Sequence, residues 1–167
     1  MLDLILEILL IGIFGRIAFE DFKTRQVHLL LFVFGFLTAV LLSIERSFHY
    51  EFLLFNMVFV LINLLAVFGY GFIKGKSLTL NNKWFGLGDL LMWSILIFCF
   101  SPINFILFFI GSLFFSLLTY IFFFRKHNTL IPLAGNQSLC MVIVILGDLL
   151  GVSINFLLND MWIVLDV

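Results

Sequence analysis

Long apolar stretches are the feature that most constrains this sequence. Of its 167 residues, 63% are hydrophobic and only 11% are charged, whereas an ordinary soluble domain is about one quarter charged. A helix needs about 20 mostly apolar residues to cross a bilayer. The candidate spans are Leu2–Glu20, Leu29–Ile44, Phe52–Ile73, Leu87–Phe100, Ile103–Phe124 and Leu139–Leu158. The sequence therefore predicts one domain over residues 1–167, an all-α polytopic membrane bundle of about six transmembrane helices.

Composition also excludes several classes of protein. The chain has 24 phenylalanines, too many for a soluble globule of this size to hide, so we expect membrane lipid to be its main surroundings. Its 9 basic residues are balanced by 10 acidic ones and form no basic patch, which argues against nucleic acid as a partner. Cys99 and Cys140 lie in apolar stretches without a Cys-x-x-Cys spacing, so neither a zinc site nor a disulfide framework is indicated.

The basic residues predict the orientation of the bundle. With six helices, eight of the nine basic residues lie on one side, and Arg46 alone lies opposite. Those eight are Arg16, Lys23, Arg25, Lys74, Lys76, Lys83, Arg125 and Lys126. Because basic residues accumulate in cytoplasmic loops, we expect a multi-pass protein of the cytoplasmic membrane with both termini extracytoplasmic.

Acidic residues at membrane depth are costly and usually mark function. Asp21 ends the first span and Asp89 opens the fourth, in Gly86-Leu87-Gly88-Asp89, and the six-helix topology places both on the cytoplasmic side. Gly86 and Gly88 lack a Cβ atom and allow the backbone before Asp89 a close approach. Taken singly, Asp89 also fits a helix N-cap, and Asp21 fits a solvated helix end neutralised by Lys23 and Arg25.

Taken together, the two acids predict a reaction. Two neighbouring carboxylates cannot both ionise cheaply, so they share a proton. One then acts as a base toward water and the other donates a proton to a carbonyl oxygen. This is the chemistry of aspartic peptide hydrolysis, which needs no metal or cofactor. Arg16 lies four residues before Glu20 on the same helix face, and either joins these acids or extends to the membrane interface.

Three segments resemble motifs of the prepilin and preflagellin peptidases, a family of GxGD intramembrane aspartyl proteases. They are Asp21–His28, Gly86–Leu91 and Ile131–Gly135. The resemblance implies that Asp21 and Asp89 are the catalytic pair. Leu91 and His28 depart from the pattern, since the family usually has lysine and proline there. The cysteine-rich segment and methyltransferase region of the long members are absent, so the chain is similar to the short, peptidase-only form.

The resemblance also implies a substrate. It would be a single-span precursor with a short basic leader, such as a type IV pilin-like protein or a secretion pseudopilin, cut at the cytoplasmic face. Other membrane protease classes lack their motifs here: there is no His-Glu-x-x-His for zinc and no Gly-x-Ser-Gly.

The alternative hypothesis is a non-enzymatic membrane protein, either a small transporter or an assembly subunit. It centres on Asp148, which we expect about midway along the sixth span, in Gly147-Asp148-Leu149. An acid at that depth is either a structural polar contact or a site for a proton or coupling ion. Lys23, Arg25 and Asp148 are thus possible accessory residues of the site.

Overall fold

The structure, a computed structural model, describes residues 2–46, 50–73, 86–124 and 132–150. Within these ranges every regular element is helical and there is no strand, which confirms the all-α prediction. The helices are α1 (Leu2–Thr24), α2 (Leu29–Glu45), α3 (Tyr50–Ile73), α4 (Leu87–Leu96), α5 (Pro102–Thr119), continued by a π-helical turn (Tyr120–Phe124), and α6 (Leu133–Leu149).

Two of the helices have the length and composition to cross a membrane. They are α3, with 24 residues, and the 21-residue segment Pro102–Phe122. Helices α2, α4 and α6 are apolar but shorter. The outer surface is rich in large apolar side chains; Phe72 is 72% exposed and Phe122 is 77% exposed. Apolar surface on this scale indicates association with a membrane.

Helix α6 organises the bundle. It packs most extensively against α1 and also against α4 and α5, while α2 packs on α1 and α4. The core includes the fully buried side chains of Leu10 and Phe14 from α1 and of Met141 and Ile145 from α6. Helix α3 lies at the edge and packs mainly on α5. The motif residues lie on α1, α4 and α6, and α6 packs against both of the other two helices.

The fourth predicted span is too long at its C-terminal end. Helix α4 stops at Leu96, and Ile97–Cys99 form a turn before α5 begins at Pro102. The side-chain amide of Asn56 donates to the carbonyl oxygens of Ile97 and Phe100, at 3.1 and 2.9 Å. An apolar turn whose carbonyls accept hydrogen bonds from another helix has the same hydropathy as an apolar helix. The C-terminal end of a span predicted from hydropathy therefore falls too late in the sequence. Ser101 is the N-cap of α5 and Pro102 its first residue.

The sixth predicted span also needs correction. Helix α6 begins at Leu133 rather than Leu139 and ends at Leu149, and residues 151–158 of the predicted span lie outside the described residues. The early start has a physical cause: Asn136, Gln137 and Ser138 are polar but fully buried. Asp148 is consequently the penultimate residue of α6, not its midpoint.

Charged residues at the two ends of α1 are arranged differently. At the N-terminal end, Glu7 forms an ion pair with Arg46 from the end of α2. Arg16, Lys23 and Arg25 cluster toward the other end. The remaining basic residues used to predict orientation lie outside the described residues: Lys74, Lys76, Lys83, Arg125 and Lys126. The membrane orientation therefore stays a prediction.

Candidate active site

A tight turn after α1 places the first motif. The backbone N–H of Arg25 donates to the carbonyl of Asp21 at 3.1 Å, and Arg25 has φ 58°. This left-handed conformation is uncommon for a residue with a side chain and ends the helix in the way a C-terminal glycine usually does. The hydroxyl of Thr24 contacts the carbonyl of Gln26 at 2.9 Å. The chain thus reverses within a few residues and enters α2.

Glu20 joins the two sides of this turn. Its carboxylate accepts hydrogen bonds from the backbone N–H of His28 at 3.1 Å and from Nε of Arg16 at 3.0 Å, and only 8% of the residue is exposed. Of the two roles considered for Arg16, the structure therefore shows the pairing with an acid, and that acid is Glu20. Glu20 bonds to the first residues of α2 and so holds the end of α1, where Asp21 lies, in place.

Asp21 is bound by the first turn of α6. Its Oδ2 accepts a hydrogen bond from the backbone N–H of Gly135 at 2.6 Å. A Cβ atom built on Gly135 would lie 2.8 Å from the same Oδ2 and 3.1 Å from Cβ of Asp21, closer than side chains approach each other. Only glycine fits this contact without displacement. The positive charge of Arg25 also acts on the Asp21 carboxylate.

Asp89 lies in the first turn of α4, three residues after the N-cap. The N-cap is Gly86, so the interpretation of Asp89 as an N-cap is wrong. The backbone N–H of Asp89 donates to the carbonyl of Gly86 at 3.1 Å, and the N–H of Gly86 donates to Oδ2 of Asp89 at 3.3 Å. A Cβ on Gly86 would lie 3.3 Å from that oxygen. A Cβ on Gly88 would instead lie 3.6 Å from Cζ of Phe32 on α2, which is an ordinary contact.

The two acids meet at the N-terminus of α6. The backbone N–H of Ala134 and the charge of Asp21 both act on the Asp89 carboxylate. Ala134 directly precedes Gly135, and neighbouring Cα atoms are about 3.8 Å apart, so both carboxylates approach the first turn of α6. Two residues 68 positions apart in sequence are thus brought to one turn, and both are only partly buried.

The other candidate residues lie elsewhere. Nζ of Lys23 sits 5.4 Å from the centre of the Phe19 ring, one turn back on α1. Asp148 is 13 residues beyond Gly135 on α6, which is about 20 Å along a helix. Of the three accessory residues, Arg25 alone has a charge that acts on the acidic pair. Within the described ranges, no three His, Cys, Asp or Glu side chains are grouped as metal ligands would be.

Ala134 and Gly135 are site residues that sequence reasoning did not assign. The sequence predicts that the segment Ile131–Gly135 precedes the last helix, but its last three residues form the first turn of that helix. Backbone amides contribute here, and they carry no side-chain signature. The one available signal was the proximity of Pro132 and Gly135 to a helix start, since proline is common there.

Leu91, two residues after Asp89, has apolar surroundings. It lines a pocket of about 220 Å³ between α2 and α4. The other lining residues are Phe32, Val33, Phe36, Leu37 and Ser94. A lysine would place its ammonium group among these rings, which is costly without a partner. Leucine is therefore the residue that this pocket accommodates.

The chain was also compared with known proteins. It matches no protein-family model, no curated protein and no solved structure. The site must therefore be interpreted from its own geometry.

Proposed function

We propose that this protein is an intramembrane aspartyl endopeptidase of the prepilin-peptidase type, with Asp21 and Asp89 as its catalytic pair. The observation that carries the proposal is the convergence of two carboxylates from different helices on the first turn of α6. A purely structural site would neutralise each acid with a base. Here the like charge of Asp21 acts on Asp89, an arrangement that costs stability and is typical of active sites.

The geometry supports a two-acid mechanism. Because like charges this close disfavour double ionisation, the pair holds one proton in common. The ionised member removes a proton from a water molecule, whose oxygen attacks the peptide carbonyl carbon. The protonated member donates its proton to the carbonyl oxygen, which gives a tetrahedral diol. The proton taken from water is then delivered to the leaving amine as the C–N bond breaks, and one hydroxyl of the diol returns its proton to the pair, which leaves a carboxylic acid product and the pair as it began. The N–H group of Gly135 keeps the Asp21 carboxyl group oriented.

The proposed location and substrate follow from the family resemblance. The peptidase would span the cytoplasmic membrane several times, with this site at the cytoplasmic face and lipid around the exposed apolar side chains. Its substrate would be a single-span pilin-like or pseudopilin precursor with a basic leader, used in type IV pilus assembly or protein secretion. The short helices α2, α4 and α6 would then surround the site at the membrane surface.

Substitution of either acid tests the proposal. Asp21→Asn and Asp89→Asn keep the shape of each side chain but cannot share a proton, so each should abolish cleavage of a co-expressed pilin-like precursor, detected as loss of the processed form on a gel. Glu51→Gln is the matched control, since Glu51 is an exposed acid in the first turn of α3, and it should cleave normally. Cleavage by either Asp→Asn variant would show that the pair is not catalytic.

The same assay addresses the alternative function. Asp148 ends α6 about 20 Å from the acidic pair, so Asp148→Asn should leave processing intact. If Asp148→Asn abolished function while Asp21 and Asp89 were dispensable, a transporter centred on Asp148 would replace the peptidase proposal. The thermal stability of each variant in detergent should be measured alongside, because the two Asp→Asn changes relieve repulsion and should not lower it.

A further inference from the structure

A row of buried polar side chains joins α5 to α6. Ser112, Ser116 and Thr119 are spaced four and three residues apart, so they share one face of α5. The side-chain amide nitrogen of Asn136 contacts the hydroxyls of Ser116 and Thr119, both at 3.0 Å, and that of Gln137 contacts Ser112 at 3.4 Å. We call these five residues the α5–α6 polar seam. Asn136 and Gln137 are 0% exposed.

The seam has more acceptors than donors. The hydroxyls of Ser112 and Thr119 donate their single protons to the carbonyls of Phe109 and Ser116, at 3.0 and 2.9 Å. The amide oxygens Oδ1 of Asn136 and Oε1 of Gln137 are buried and have no hydrogen-bond partner in the described part of the chain. Leaving such an oxygen unbonded costs about 1–3 kcal/mol. The remaining hydroxyl proton of the seam, on Ser116, can serve only one of these two oxygens, so at least one oxygen needs a donor from outside the seam hydroxyls.

The position of the seam connects it to the acidic pair. Asn136 directly follows Gly135, whose N–H binds Asp21. At the other helix, Thr119 leads into the π-helical turn Tyr120–Phe124, a deviation that is frequent at functional sites. A neutral molecule that donates two hydrogen bonds and is small enough to enter a packed bundle is water.

We propose that the α5–α6 polar seam is a water site, in which the amide oxygens of Asn136 and Gln137 accept hydrogen bonds from water molecules that supply Asp21 and Asp89. Only the use of this water for hydrolysis rests on the proposed function; its presence does not. Each turnover consumes one water molecule within a bundle whose surface is mostly apolar. The seam provides that molecule a polar route along α6.

Cysteine labelling tests whether the seam is wet. The background is the chain with Cys99→Ala and Cys140→Ala. In it, the single variants Ser112→Cys and Ser116→Cys are compared with Leu113→Cys and Leu117→Cys, whose positions are exposed on the outer surface of the same helix. The probe is methanethiosulfonate ethylammonium, which reacts with thiolates. The thiolate fraction falls about tenfold for each unit by which an apolar environment raises the pKa of a thiol, so the seam positions should react at least about tenfold faster.

A second comparison tests the amide itself. Gln137→Met keeps the side-chain volume but removes the acceptor, and should slow labelling at position 112 on the order of tenfold. Asn63→Leu is the matched control, because the Asn63 amide binds the Phe59 carbonyl of its own helix at 2.8 Å, and labelling should be unchanged. Equal labelling rates for seam and outer-surface cysteines would overturn the water site. Slower labelling of the seam in sodium chloride than in choline chloride would also overturn it, because it would indicate a bound cation.

The labelling result separates the two proposals. A seam that labels in a chain that does not cleave precursor would retain the water site and contradict the peptidase. A seam that does not label in a chain that cleaves precursor normally would contradict the water site and retain the peptidase proposal.

Discussion

The two ends of α1 both hold charged side chains within the bundle, but they solve the problem in opposite ways. At the N-terminal end, Glu7 and Arg46 neutralise each other across α1 and α2, with 7% and 21% of their side chains exposed. At the C-terminal end, the charge of Asp21 acts on another acid, Asp89, and the two carboxylates accept hydrogen bonds from the backbone N–H groups of Gly135 and Gly86.

The difference separates a neutralised pair of charges from a pair of like charges in one molecule. An ion pair lowers the cost of burying two charges and joins two helices. Two neighbouring acids raise the cost of burying charge and do not attract each other, so they cannot join two helices. Backbone N–H groups must therefore hold them in place. Opposite responses to mutation are therefore expected at the two ends, and four substitutions test this.

The largest effect on stability is expected at the ion pair. Glu7→Gln leaves the Arg46 guanidinium without its counter-charge, and we expect a loss of about 3 kcal/mol in the free energy of unfolding, at the low end for a buried pair because Arg46 keeps part of its side chain exposed. Thermal unfolding in detergent measures it. Glu7→Leu combined with Arg46→Met should recover most of the loss. If Glu7→Gln were as stable as the wild type, the pair would not be structural.

The largest effect on activity short of removing an acid is expected at Gly135. Gly135→Ala places a Cβ atom 2.8 Å from Oδ2 of Asp21, so the carboxylate must move by a few tenths of an ångström or more. A misplacement of about 1 Å costs about a hundredfold, so this smaller displacement should lower kcat for precursor cleavage by about tenfold. Gly12→Ala is the matched control, since a Cβ at Gly12 has nothing within 4 Å. Normal cleavage by Gly135→Ala would remove the α6 amides from the site.

A smaller effect is expected at Glu20. Glu20→Ala removes the acceptor for the His28 N–H and the Arg16 side chain, and the loss of hydrogen bonds to a charged group lowers stability. We expect a lower unfolding temperature and a decrease in kcat with little change in KM, because the turn beside Asp21 loosens. Glu20→Gln should recover part of both. A change in KM alone would assign Glu20 to substrate binding instead.

The smallest effect is expected at Lys23. Its ammonium lies over the exposed ring of Phe19, a contact worth about 0.5–1 kcal/mol at most on a surface. Lys23→Gln should cleave precursor at the wild-type rate. Arg25→Gln is the informative comparison, because the charge of Arg25 acts on Asp21, and it should alter the pH profile of cleavage. Identical pH profiles for both variants would show that neither charge reaches the pair.

The helical architecture could be predicted because apolar stretches of the right length leave few alternatives. The reversal at Ser101-Pro102 was predictable as well, since proline starts a helix more readily than it continues one. The predicted topology gives Asp21 and Asp89 a shared depth but does not make their helices neighbours; in the structure the charge of Asp21 acts on Asp89. Their catalytic role stays a prediction.

What could not be predicted has a common cause: hydropathy measures composition, not partners. Asn136, Gln137 and Ser138 resemble a loop in composition, yet they are buried in α6 because α4 and α5 supply hydroxyl and thioether contacts. Ala134 and Gly135 contribute main-chain N–H groups, which every residue except proline possesses. Only the three-dimensional arrangement shows which of these groups meets a carboxylate.

The bond between Asn56 and the α4–α5 turn has a consequence for biogenesis. The turn carries two carbonyls, of Ile97 and Phe100, that the Asn56 amide satisfies. Since translation proceeds from the N-terminus, α3 emerges from the ribosome some forty residues ahead of this hairpin, as the separations of 41 and 44 positions show. The donor is therefore synthesised before its two acceptors, and the order of synthesis matches the order in which these groups need each other.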